Sequence, residues 1–121
     1  MANTFKVINF AAEPNSAGTP FTMYTVASST TTVVLGLILA NIHSSAVTAE
    51  VELVSTTSNR AGANNASNGT SFLVKDVNIP NGSSLELLSG GKVVLEAGDV
   101  IRVDCSVADK LSGTLSVMEI T

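Results

Sequence analysis

From end to end the chain alternates short runs of Val, Ile, Leu, Phe and Thr with clusters of Asn, Gly, Ser and Pro. Runs of that length, bounded by turn-forming residues, are too short for core helices and suit β-strands. No stretch sustains apolar residues at 3.6-residue spacing long enough to bury one face of a helix. Strands are expected over residues 4–10, 21–27, 31–42, 47–55, 72–79, 84–88, 92–95, 100–107 and 113–120. Such a series predicts an all-β fold: a single-domain, two-sheet β-sandwich of jelly-roll or Ig-like type, spanning 1–121, with eight to nine antiparallel strands. No internal repeat, linker or second domain is visible.

Two strands carry most of the positional information. In 47–55, Val47, Ala49, Val51 and Leu53 alternate with Thr48, Glu50 and Glu52, which puts one face on a core and the other in water or a polar contact. Residues 100–107 alternate likewise, with Ile101, Val103, Cys105 and Val107 against Arg102, Asp104 and Ser106. The third strand differs. Val33, Val34, Leu35, Leu37, Ile38 and Leu39 load both of its faces, so it is expected to be central or to be covered outside by another subunit. Residues 56–70 are too poor in apolar side chains to pack as an element and read as a long polar hairpin loop.

Charged residues make up 13% of the chain, against about 25% in an ordinary soluble domain. With 45% hydrophobic residues the chain is globular, and the low charge implies that part of its surface faces protein. The longest apolar run, 33–40, falls well short of the ~20 residues that span a bilayer, so no membrane partner is expected. Nucleic acid is not expected either. The net charge is −4, and Lys6, Arg60, Lys75, Lys92, Arg102 and Lys110 are scattered, with no stripe to neutralise phosphates. The N-terminal residues lack the basic and apolar regions of a secretory signal. The single cysteine, Cys105, rules out an intrachain disulfide and fits synthesis in a reducing cytoplasm.

The residues that could carry chemistry are few. His43, the one histidine, needs a nucleophile and an orienting acid to act as a base, and reads as a turn residue. Cys105 lies on the apolar phase of its strand and reads as a core thiol. One His and one Cys are too few for a usual zinc site. Glu50 and Glu52 share a strand face and could form a glycosidase pair or bind a cation, but the chain has no Trp and one Tyr, Tyr24, to stack a sugar. Gly90-Gly91 and Ala97-Gly98-Asp99 have turn spacing and no following helix, so they are not phosphate loops. The Asn-X-Ser/Thr triplets at Asn65, Asn68 and Asn81 read as turn chemistry. The expectation is therefore a non-enzyme with no catalytic, cofactor-binding or metal-ligating residues.

Several segments, in their order along the chain, carry a resemblance. They are Thr22-Met23-Tyr24-Thr25-Val26-Ala27, Leu39-Ala40-Asn41-Ile42, Phe72-Leu73-Val74-Lys75-Asp76-Val77-Asn78-Ile79-Pro80-Asn81-Gly82-Ser83, Lys92-Val93-Val94-Leu95-Glu96-Ala97-Gly98-Asp99 and the closing Ser116-Val117-Met118-Glu119-Ile120-Thr121. Together they resemble small virion structural proteins of tailed phages, especially marine and cyanobacterial ones. The resemblance covers most of the chain and consists of turn and strand signatures, with no catalytic fingerprint. It implies a virion component made in the host cytoplasm, with a capsid decoration or cement protein as the first reading. The alternatives are a neck-, tail- or fibre-associated module and, more remotely, a glycan- or receptor-binding module. The implied partners are other copies of the chain, as a trimer, and the major capsid protein or another virion protein. Candidate assembly contacts are Phe5, Val7 and Phe10 in the first strand, Leu35 and Leu37 in the third, and Arg60, Asn64, Asn65 and Asn68 in the polar loop.

Overall fold

The computed structural model describes residues 2–55, 69–88 and 90–121. Among these lie nine strands: β1 (Asn3–Glu13), β2 (Phe21–Thr25), β3 (Thr31–Asn41), β4 (Val47–Val54), β5 (Thr70–Ile79), β6 (Ser84–Leu87), β7 (Val93–Leu95), β8 (Val100–Cys105) and β9 (Leu111–Ile120). Every pairing is antiparallel. One sheet has the order β1-β9-β3-β6, with β7 also on β3, and the other has β2-β8-β4-β5.

β6 and β7 share one side of β3, at Leu37 to Ala40 and at Thr32 to Val34 respectively. Together they act as one interrupted edge strand. Counted so, the pairs β1 with β9, β2 with β8, β3 with β6 and β7, and β4 with β5 are nested, as in a long hairpin wound over itself. Nested pairing of this kind is a jelly roll, not the Ig arrangement that the strand content alone also allowed.

The core lies between the two sheets and follows period-2 phases. Val47, Ala49 and Val51 of β4 and Ile101, Val103 and Cys105 of β8 face Leu111, Leu115 and Val117 of β9 and the inward residues of β3. Burial pushes the Cys105 thiol's pKa up, which keeps it protonated and inert.

In β3 the phase changes partway. Its register against β9 shifts between Val34 and Gly36, so Leu35 is an extra residue at a β-bulge. Before the bulge Thr32 and Val34 point inward, and after it Leu37, Leu39 and Asn41 do. The slip carries Leu37 and Leu39 inward with Val34, while Val33, Leu35 and Ile38 stay on the outer side. It also corrects the expectation for Leu37, which is 1% exposed and is a core residue, not an assembly contact.

Phe10 needs a similar correction. It pairs with Gly113, and its ring fills the space that a Cβ at Gly113 would occupy. The ring then meets Phe21 edge-on, with centroids 5.2 Å apart. Phe10 thus closes the core between β1 and β2, on the face opposite to Phe5 and Val7.

Turns gather at the two ends of the sandwich. At one end Asn41 N–H donates to Ser83 O, Ile42 N–H to Lys110 O, and Asp109 N–H to Pro14 O. At the other, Val26 N–H donates to Asp99 O, and Ser55 N–H donates to Gly69 O where β4 and β5 meet. The candidate loop contacts Arg60, Asn64, Asn65 and Asn68 lie outside the described residues.

Candidate assembly surface

The outer face of the five-stranded sheet is built from the residues that the core does not use. Cross-strand registers align Phe5 with Met118, Met118 with Val33, and Val33 with Val94, forming one apolar row across β1, β9, β3 and β7. The next row is Val7, Ser116 and Gly36, and the one after is Asn9, Thr114, Ile38 and Glu86. Phe5 is 71% exposed, Val7 65%, Val94 57% and Ile38 45%. Leu35, at the bulge, is half-buried. With Phe5, Val7 and the small Ser116 it borders a shallow trough of about 300 Å³. Phe5 and Val94 thus stand exposed at the two ends of one apolar row, with the half-buried Val33 and Met118 between them.

The outer face of the four-stranded sheet is chemically opposite. Arg102 donates from Nε to Glu52 Oε2 at 2.9 Å, and Lys75 Nζ donates to Glu50 Oε1 at 3.0 Å. Lys75 also lies 4.7 Å over the Phe72 ring. Asp104, opposite Glu50, accepts from the Gly18 and Cys105 N–H groups at 3.1 and 2.8 Å. Glu50 and Glu52 are therefore each engaged by a cation from a neighbouring strand. His43 sits in the loop after β3, its backbone N–H donating to Asn41 Oδ1 at 2.7 Å. Among the described residues, no group of three or more His, Cys, Asp or Glu side chains is placed to hold a metal ion.

One polar cluster was not anticipated from the sequence. Tyr24 OH donates to Glu119 Oε2 at 2.5 Å and lies 2.8 Å from Thr32 Oγ1. Lys6 Nζ lies 2.7 Å from Glu119 Oε1. The cluster ties β2 of one sheet to β1, β9 and β3 of the other. The signal was present in the alternation, because Glu119 shares the inward phase of Leu111, Leu115 and Val117. What was missing was its partner, 95 residues away.

The bond from Lys6, then that from Tyr24, holds the Glu119 carboxyl below the usual range. Burial, then the bond to Glu119, pushes the Tyr24 hydroxyl up to about 12. A depressed carboxyl stabilises the fold above its unfolded pKa, and that contribution is lost as pH falls through the folded value. The raised tyrosine acts oppositely, stabilising below its ordinary value of 10.0 and failing as pH rises through about 12. Glu119→Gln is expected to cost about 1–2 kcal/mol at neutral pH, the Lys6 share being small because half of that side chain meets water. The deficit should shrink toward zero in acid, where the native carboxyl is itself protonated. Urea melts of both proteins across pH check this, and a deficit unchanged in acid would refute it.

No protein-family model matches the chain, and no curated protein matches it. A solved structure from Bacillus, described as endospore appendages that form a family of disulfide-linked pili, is similar with a TM-score of 0.48 and 15% identity, over 99% of this chain and 87% of that one.

Proposed function

We propose that the chain is a non-enzymatic structural protein of a tailed-phage virion, a decoration or cement protein on the outside of the head. The observation that carries the assembly reading is the one-sidedness of the sandwich. One outer face bears the apolar row Phe5, Met118, Val33 and Val94, while the other carries the ion pairs Lys75–Glu50 and Arg102–Glu52, with Phe72 under Lys75. A module of this kind is equipped to rest one sheet on protein and turn the other to water. The virion assignment is supported by the segment resemblance and, as fold-level analogy, by the use of jelly rolls in viral capsids.

The mechanism is linkage. A protein that binds the assembled shell but not its separate subunits shifts the equilibrium toward the shell. Repetition over many sites adds avidity to modest individual contacts with the major capsid protein and with other copies of the chain. Copy number and location in purified particles test the proposal. On the order of hundreds of copies over the head surface are expected, in keeping with multivalent attachment. A handful of copies confined to the neck, tail or fibres would replace the decoration role with that of an appendage subunit.

A further inference from the structure

We propose that two copies of the chain associate edge to edge through β1, antiparallel about a two-fold axis at Lys6, fusing their five-stranded sheets into one. The inference concerns self-association and stands apart from the virion assignment.

A sandwich has four sheet edges, and in this chain three are spoiled for pairing. The β6 and β7 edge is broken into strands of four and three residues. The β2 edge is five residues long with a register shift between Thr22 and Tyr24. The β5 edge has two register shifts, a left-handed residue at Asp76 (φ 52°) and the charges of Lys75 and Asp76. Short length, bulges and charge are the usual devices that stop a strand from recruiting another chain. β1 has none of them along most of its length. It runs in unbroken register with β9 from Asn3 to Phe10, and among the described residues no strand pairs with its other side.

The direction of its free groups follows from the ladder. Ala2 and Thr121 exchange both N–H···O bonds, which assigns the even residues of β1 to β9. The N–H and C=O groups of Asn3, Phe5, Val7 and Asn9 therefore point to the open edge. The side chains of these same four residues stand on the outer face.

Their order identifies the partner. Asn3, Phe5, Val7 and Asn9 read polar, apolar, apolar, polar, a palindrome centred on Lys6. A two-fold axis there sets Phe5 against Val7 of the second copy and Asn3 against Asn9, each pair exchanging both main-chain bonds. Phe5 and Val7, the two most exposed large apolar residues among those described, would then cover one another, and the apolar rows of two copies would run together. Among the described strands, the other edges of a second copy are too short or too irregular to offer a matching ladder. The one unfavourable contact is Lys6 opposite itself, moderated because each Lys6 is held by its own Glu119. Isologous pairing of this kind closes at two copies, unlike the trimer expected from the resemblance.

The test is mass in solution, by sedimentation or light scattering over a concentration series. The native chain should be a dimer in equilibrium with monomer. Val7→Pro removes an outward N–H that β9 does not use, so the monomer should fold while the dimer dissociation constant rises at least about tenfold. Val94→Lys, on the same apolar face but at the opposite side of the sheet from β1, should leave the dimer intact. Lys6→Cys should give a covalent dimer on mild oxidation, because non-hydrogen-bonded partners lie about 4.5 Å apart at Cα and Cys105 is buried. A native chain that is monomeric or trimeric, a dimer lost with Val94→Lys but not with Val7→Pro, or no cross-link from Lys6→Cys would each overturn the proposal.

Discussion

Leu37→Ala is expected to lower folding stability by about 2–5 kcal/mol, while Ile38→Ala, one residue along the same strand, changes it by no more than about 0.5 kcal/mol. The two side chains are isomers and adjacent in sequence, so the contrast comes entirely from the frame of β3. Leu37 is 1% exposed and packs among Leu39, Leu115 and Leu87, whereas Ile38 is 45% exposed on the outer face beside Thr114 and Glu86. Removing a buried isobutyl group loses its transfer free energy and leaves a cavity that a rigid sheet cannot collapse to fill. Removing an outer methyl cluster from the isolated chain leaves only water in its place. Urea denaturation at fixed slope measures both variants. Equal losses, or a larger loss at Ile38, would mean that the bulge at Leu35 does not set the frame.

That bulge also marks the limit of what the sequence discloses. β4 and β8 were legible residue by residue, because each keeps one phase: Val47, Ala49 and Val51 in β4, and Ile101, Val103 and Cys105 in β8, all lie in the core. β3 was legible as a strand but not in its facing. Leu35, Leu37, Ile38 and Leu39 are all apolar, and only Gly36, a residue that often accompanies bulges, hinted at a slip. From sequence Phe10 looks like a contact, because nothing local reveals that its strand partner is Gly113, which leaves a space for its ring. The cluster of Tyr24, Glu119 and Lys6 depends in the same way on pairings between the ends of the chain.

Strand content pointed to a sandwich, but the choice of jelly roll over an Ig arrangement needed the nested pairing, which is a non-local property. The outer-face placement of Phe5 and Val7 follows the alternation of β1, which keeps one register with β9 from Asn3 to Phe10. That β1 is the regular edge among the described strands follows only from their order in the two sheets.

Asn41→Ala is expected to cost about 2–4 kcal/mol, a large loss for the removal of one small amide. Asn41 is 6% exposed at the end of β3. Its Nδ2 donates to Ser45 O and to Ile79 O, both at 2.9 Å, while Oδ1 accepts from His43 N–H at 2.7 Å. One side chain thus shapes the turn between β3 and β4 and fastens it to the end of β5 in the other sheet. Alanine orphans three main-chain groups, and the Ile79 carbonyl lies where water has little access. Asn41→Asp separates the amide's two roles. It keeps an acceptor for His43 N–H but gives up both donors and places a carboxylate beside two carbonyl oxygens. That surrounding raises the new carboxyl's pKa in the folded state. The sign follows: the aspartate variant is most stable below its unfolded pKa of about 3.9, where the protonated acid can donate one bond, and weakens as pH rises through the folded value. Denaturation of both variants from acid to neutral pH should show the aspartate penalty growing with pH and the alanine penalty staying level. A loss at Asn41→Ala below about 0.5 kcal/mol would show that water replaces the amide and that the two sheets are joined at this end by their backbone bonds alone.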